Sequence, residues 1–367
     1  MIQTISSTQN PSRKLLEESD HHIIHLWQEI ALSAVNEDAS DIHIEAQQNA
    51  CIVRFRIHGD LYLFRSYPKT DHIRLITRIK ILAKLDIAEQ RLPQDGRLTI
   101  SCGDVISHEI DCRVSTMPTL FGEKAVIRLL RTTNSELDID HIGLTEPQLD
   151  IVKGCLNRRH GLILVCGPTG SGKTRTLYSF LHYLNQPHLN LCSVEDPIEI
   201  RLQGVNQIAY HPKAGLHFDT IIRALLRQDP DVMMIGEIRD SETAKLAVSA
   251  AQTGHLVLST IHTREALSCI ERLRNFGIEP HSIAQNLLFV SSQRLVRYRD
   301  SQLGRFAIHE VLPFTPKLIA AIELEVTATE LKEVAIADGF YSMHNQADAL
   351  FHQGLIDQSV LLHEIPR

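Results

Sequence analysis

Between residues 21 and 37, Ile23, Ile24, Trp27, Ile30, Ala31 and Ala34 recur at the spacing of one helix face, and the stripe stops at the polar run from Asn36 to Ser40. This spacing predicts an amphipathic helix. The period then changes to two. Val53, Phe55 and Ile57 alternate with Arg54, Arg56 and His58, so 41–45 and 51–58 read as two short strands around a turn at Gln47, Gln48 and Asn49. A second helix is expected over about 71–85, with Ile73, Ile76, Ile79 and Leu82 on its apolar side. From 97 to 131 the pattern is again strand-like, and Pro118 and Gly122 mark a turn between 107–115 and 124–131.

Together these elements describe a small α+β domain over 21–131, preceded by a polar tail at 1–20. The stretch 132–140 is polar, acidic and aperiodic, which suits a linker. Beyond it the apolar runs at 162–165, 190–193, 232–235 and 256–260 alternate with helical segments, the signature of a parallel sheet with crossover helices over 141–313. A helical region completes the chain from 314 to 367.

Composition narrows the class. The 367 residues, 43% hydrophobic and 22% charged, are enough for two ordinary cores. No apolar run approaches the ~18 residues of a spanning helix, and the polar start has no signal-peptide pattern, so a cytoplasmic protein is expected. The seven cysteines contain no C-x-x-C pair, which suits reduced thiols better than disulfides or a zinc ribbon. A net charge of -7 argues against a long nucleic-acid footprint, so no direct nucleic-acid partner is expected.

The strongest chemical signal is Gly167-Pro168-Thr169-Gly170-Ser171-Gly172-Lys173-Thr174, which fits G-x-x-x-x-G-K-[ST], follows an apolar strand and opens a helix. Glycines let backbone N–H groups close around a β-phosphate at a helix N-terminus, where the dipole also favours negative charge. Lys173 is then placed to neutralise β and γ oxygens, and the Thr174 hydroxyl to meet Mg²⁺, which makes ATP and Mg²⁺ the expected ligands.

Hydrolysis also needs carboxylates near the metal and the attacking water. The run 232–236 is an apolar strand that ends in Glu237, and the run 193–194 ends in Glu195 and Asp196, with Pro197 stopping the chain. Glu237 and Glu195 are the catalytic candidates, and Asp196 is a candidate metal ligand. The run 256–261 is bracketed by His255 and His262. Opposite ends of one strand cannot reach the same phosphate, so His262, at the carboxyl end, is the candidate γ-phosphate sensor and His255 is structural or intersubunit.

Four motifs now stand in order: GPTGSGKT, SVEDPIE, LLRQDPDVMMIGEIRD and TGHLVLSTIHT. With ASDIHIE, RFRIHGDL, LPQDGRL and RVSTMPTLFGEKAVIRLL in the first domain, they resemble the ATPase family of type II secretion, type IV pilus and DNA-uptake systems over about residues 20–312. The resemblance implies a PAS-like α+β N2 domain followed by a RecA-like P-loop ATPase domain with C-terminal helices. It implies a homo-hexamer that works on the cytoplasmic domain of an inner-membrane platform protein, as the ATP-hydrolysing motor of a pilus or pseudopilus. It further implies two charge-neutralising arginines, which map onto Arg113 and Arg128. A hairpin turning symmetrically at residues 120 and 121 sets these two opposite each other, an unfavourable pairing unless an anion lies beside them. The short linker favours action on the nucleotide of the same chain.

The sequence also departs from the family. The segment 292–297, SQRLVR, is similar to a family helix that commonly precedes a tetracysteine zinc module, yet it runs within a few residues into 304–312, so no zinc is expected. Two other functions remain open at this stage: a RecA-like nucleic-acid translocase, disfavoured by the acidic balance and 5% aromatic content, and a nucleotide-gated scaffold, disfavoured by the retained acids and arginines.

Overall fold

The computed structural model describes residues 11–57, 59–101, 109–130, 137–300 and 304–365. Positions 1–10, His58, the start of the expected strand at 107–108, Arg131 and residues 132–136 of the expected linker lie outside the described residues. The chain divides into two compact units, Met1–Arg131 and Thr132–Arg367.

The first unit opens with helix α1 (Pro11–Asn36), which starts ten residues before the expected helix and inside the stretch read as a tail. It continues through β1 (Asp41–Ala46), β2 (Ala50–Ile57), β3 (Asp60–Pro68), α2 (Lys69–Leu82), β4 (Gln94–Ser101), β5 (Glu109–Thr119) and β6 (Gly122–Leu130). The strands form one antiparallel sheet in the order β3-β2-β1-β6-β5-β4. Ile23, Trp27, Ile30 and Ala34 of α1 pack in one core with Ile76 and Ile79 of α2 and Ile44, Val53, Phe55 and Ile127 of the sheet.

Two features of this unit differ from expectation. Strand β3 had no visible signal because it is an edge strand whose side chains are mostly exposed, Tyr62 and Leu63 among them, so no alternation marks it. Helix α2 is also rotated from its expected face: Ile73 is exposed, while His72, Leu75 and Lys80 are buried. Lys80 sits in a buried ion pair, its Nζ 2.6 Å from Glu123 Oε1, and also donates to the Glu89 carbonyl at 2.7 Å. A hydrophobicity pattern cannot register a lysine that enters the interior because it is fully paired.

The second unit contains α3 (Glu146–Leu156), β7 (Gly161–Cys166), α4 (Lys173–Leu184), β8 (Leu191–Glu195), β9 (Val205–Ala209), α5 (Phe218–Leu225), β10 (Val232–Ile238), α6 (Ser241–Gln252) and β11 (Leu256–Ile261). It continues with α7 (Ser268–Asn275), α8 (Pro280–Asn286), β12 (Leu287–Arg297), β13 (Arg305–Pro313), α9 (Pro316–Glu323), α10 (Ala328–Ala337), α11 (Met343–His352) and α12 (Gln358–His363). The sheet order is β13-β12-β7-β11-β10-β8-β9, parallel except for the antiparallel edge pair β12–β13. Alternate residues of the central strands serve two cores. Leu162, Leu164, Met233 and Ile235 face one packed with Ala244 and Ala247 of α6, while Ile163, Val165, Met234 and Leu258 face another packed with Leu177 and Phe180 of α4. Burial on both faces is why these strands read as unbroken apolar runs.

The segment 292–297 is strand, not helix: it is the second half of β12 and pairs along its length with β13, while β7 pairs with β12 only as far as Ser292. The run LLFVSSQRLVR is apolar enough to occupy an interior position of the sheet.

Strand β13 carries two buried polar anchors. Glu310 accepts from the backbone N–H of Ala266 (2.6 Å) and of Met343 (3.0 Å), the first residue of α11. His309 is fully buried; its Nε2 meets the Ile142 carbonyl at 2.9 Å and its Nδ1 the Ser291 hydroxyl at 3.2 Å. Burial disfavours the imidazolium and pushes its pKa down to about 4. Between the ordinary value near 6.5 and about 4, the unfolded chain therefore takes up a proton that the folded chain refuses, so this histidine's contribution to stability is lost as pH falls through that window. Denaturant unfolding at about pH 7.5 and about pH 5 is expected to show about 2 kcal/mol of acid-induced loss in the native chain that His309→Gln lacks. Equal losses in the two proteins would contradict this assignment.

Candidate active site at the phosphate loop

Strand β7 ends at Cys166 and the chain turns through Gly167, Gly170 and Gly172, with φ of 139°, 80° and 91°, before α4 begins at Lys173. These backbone angles need glycine. The loop is also tight: a Cβ on Gly167 would lie 2.4 Å from the Gln293 carbonyl oxygen, and one on Gly172 2.8 Å from Gln293 Nε2. Gln293 of β12 is in turn held by the Thr176 hydroxyl, which donates to its Oε1 at 2.7 Å. The neighbouring strand thus fixes the outline of the loop.

The donors of this loop suit an oligophosphate. No side chain caps the start of α4, so its N-terminal N–H groups face the cradle. Ser171 Oγ is buried without a hydrogen-bond partner among the described residues. Pro168, Thr169 and Gly170 form the exposed crest, and Thr174 is half-buried in the first turn. Lys173 is buried and donates to the Gly167 and Pro168 carbonyls at 2.9 and 3.0 Å. Burial pushes its pKa down, against the attraction of Glu237, whose charge lies near enough to act on it.

The carboxyl ends of the adjacent strands supply the acids. Glu237, near the end of β10, is paired with Arg239 and lies 3.1 Å from His262 Nε2, just past the end of β11. Burial raises the Glu237 pKa, but Arg239 and His262 outweigh it, and the carboxyl is held below the usual range. Arg239 also reaches Asp196 at 3.5 Å, so one arginine links the acid after β8 to the acid of β10. His255 stands at the other end of β11, where its Nδ1 meets the Ala250 carbonyl at 3.0 Å.

Glu195 behaves differently from its expected catalytic role. It is only 3% exposed, and both carboxylate oxygens are engaged inside the protein: Oε1 accepts from Ser193 Oγ (2.6 Å) and Gln207 Nε2 (3.1 Å), and Oε2 accepts from the Tyr178 hydroxyl. Burial pushes its pKa up. A carboxylate shared by three internal donors has little capacity left to orient a water.

Sequence reasoning passes over Arg239, Gln293, Arg294 and Tyr178. Arg239 follows Glu237 by two residues inside a motif that gives it no role of its own, and Arg294 carries a charge that repels that of Lys173. The only signal for Tyr178 is its position on α4, where a tyrosine in an apolar run reads as core.

In the first unit the hairpin has the expected register, with Arg113 opposite Arg128. The row extends further: Arg97 is opposite Arg113, Asp41 opposite Arg128, and Arg56 opposite Asp41. Arg128 Nε donates to Asp41 Oδ1 at 2.8 Å, and burial, which raises the Asp41 pKa, is outweighed by this partner. The like-charge pairing is therefore relieved partly by an internal carboxylate, not solely by an external anion as the register argument assumed.

The sequence matches the model of the type II/IV secretion system protein family over residues 16–365. Among curated proteins, it is 40% identical over 382 residues to the type IV pilus assembly ATPase PilB of Myxococcus xanthus, covering 93% of this chain and 67% of that protein. It is 46% identical over 288 residues to the type II secretion system protein E of Aeromonas hydrophila, covering 78% of this chain and 57% of that protein. Among solved structures it is similar to the pilus retraction motor PilT with bound ADP, at a TM-score of 0.75 and 27% identity, covering 93% of this chain and 97% of that one. The α/β architecture, with an N-terminal domain and a RecA-like domain, is shared with that motor. A phosphate cradle, an acid–histidine pair on the adjacent strand ends and a match along nearly the whole chain agree: the chain belongs to the type II/IV secretion system protein family and is a nucleotide-binding ATPase of secretion or pilus systems.

Proposed function

We propose that the chain is the motor subunit of a ring, a homo-hexamer that hydrolyses MgATP and drives an inner-membrane platform protein through that protein's cytoplasmic domain during pilus or pseudopilus assembly. The observation that carries this reading is the convergence of Lys173, Glu237 and His262 at the carboxyl edge of one parallel sheet. Among the described residues no helix is long and apolar enough to cross a membrane, and no cluster of three or more His, Cys, Asp or Glu could hold a metal ion. In this reading membrane association comes through the partner.

In this reading the loop 167–172 and Lys173 bind the phosphates, and the Thr174 hydroxyl and Asp196, which Arg239 reaches at 3.5 Å, would hold the magnesium. Glu237 accepts the proton of the attacking water and His262, bonded to it, senses the γ-phosphate. Arg113 and Arg128 neutralise charge that develops in the transition state.

Mixing variants tests the ring and the arginines together. Arg113→Ala and Arg128→Ala are each expected to lower turnover by ~10³, the typical effect of losing an arginine finger, and Arg128→Ala also to lose stability because the buried Asp41 loses its partner. The short linker leads us to infer action within one chain, so mixing the double arginine variant with Lys173→Ala should restore nothing. Recovered turnover would place the arginines on the neighbouring subunit instead. Full turnover by a verified monomer would remove the ring.

A further inference from the structure

We propose that Tyr178 is a positioning residue for hydrolysis: its hydroxyl fastens the acidic loop after β8 to the helix of the phosphate loop, and Glu195 acts through it rather than on the nucleotide. This inference rests on the ATPase reading of the site.

The hydrogen bonding around Tyr178 is complete. Its ring is fully buried on α4, about one and a half turns beyond Lys173. Its oxygen accepts the backbone N–H of Glu199 at 3.0 Å and of Ile200 at 3.2 Å. A phenol has two acceptor positions and one proton to give, so with both acceptor positions filled the proton must go elsewhere. It goes to Glu195 Oε2. Burial and the adjacent carboxylate both push the tyrosine pKa up, so the hydroxyl keeps that proton.

Gln207 of β9 secures the same loop from its other side, donating to the Ile200 carbonyl at 2.9 Å and accepting the Leu202 N–H at 2.8 Å. The segment between β8 and β9 is thus pinned at residues 199, 200 and 202. It carries Asp196, which meets Arg239, which pairs with Glu237. A phenol rooted on the P-loop helix therefore sets the loop whose arginine contact leads to the catalytic acid. Glu195 fixes the direction of the hydroxyl, which explains an acid kept in the interior at the end of a catalytic-edge strand.

Tyr178→Phe keeps the ring and its packing but leaves the Glu199 and Ile200 N–H groups and Glu195 Oε2 without that partner. The full-length variant is expected to lose tenfold or more in kcat, with its affinity for a fluorescent ATP analogue within threefold of the native chain. Glu195→Gln still offers a carbonyl oxygen to the tyrosine and is expected to retain kcat within tenfold, whereas Glu195→Ala should resemble Tyr178→Phe. A kcat for Tyr178→Phe within twofold of native would overturn the proposal. So would a loss beyond a hundredfold in Glu195→Gln, since that would make Glu195 itself the proton acceptor. Amide hydrogen exchange over 196–202 reads the clamp without turnover, and faster exchange in Tyr178→Phe is expected; unchanged exchange would also overturn the proposal. If the native chain showed no turnover, the ATPase reading would fail while the exchange result still decided the clamp.

Discussion

Lys173→Ala is expected to weaken ATP binding by about 10² to 10³. Lys173 is the sole lysine of the loop, is buried at the first residue of α4, and already spends its protons on the Gly167 and Pro168 carbonyls. Those are neutral acceptors, which phosphate oxygens readily outcompete for an ammonium. Hydrogen bonds to charged groups contribute about 1.5–3 kcal/mol each, so two of them, to the β and γ oxygens, contribute about 3–6 kcal/mol, and giving up the two carbonyl bonds of the free state leaves about 3–4 kcal/mol, in line with about 10² to 10³. The alanine variant should keep its fold, because the glycine turns that shape the loop are untouched. Equilibrium titration with ATP and steady-state turnover check it, and native turnover would show that the phosphates bind elsewhere.

The second large effect is expected from Glu237→Gln, which should bind ATP near native strength yet lose turnover by on the order of 10² to 10⁴, the range for removing a general base. The amide keeps the size of the carboxylate and can still accept from His262, which lies 3.1 Å away. It cannot take up a proton, and it gives up the charge that pairs with Arg239. Because Arg239 also holds Asp196, part of the loss will come from the loop and not from the proton alone. Single-turnover measurements with pre-bound ATP separate binding from chemistry: slow chemistry at full occupancy is expected, whereas native-rate chemistry would move the base to another residue.

The carboxyl edge of the second sheet is legible in the sequence because its grammar is local. A glycine turn between an apolar strand and a helix can be read from eight consecutive residues, and strands buried on both faces announce themselves as apolar runs ending in Glu237 or Glu195. The arginine register is legible because a tight hairpin fixes opposite partners by symmetry. What escapes depends on partners distant in sequence. Lys80 gives no hint that Glu123 draws it into the core, Glu195 looks like a solvent-facing acid until Tyr178 and Gln207 are placed around it, and β3 shows too little of its apolar content to the interior to alternate. The SQRLVR segment resembles a family helix, whereas pairing with β13 along all six residues holds it as strand.

The two N–H groups on Glu310 have a consequence for how the C-terminal helices are regarded. One belongs to Ala266, four residues beyond His262, and the other to Met343 at the head of α11. A single carboxylate thus serves as a hinge pin between the stretch that follows His262 and the head of α11. Anything that grips or tugs α11 loads the pin that also holds Ala266, and trimming the chain ahead of Met343 is no cosmetic shortening: it would leave that pin held on one side alone.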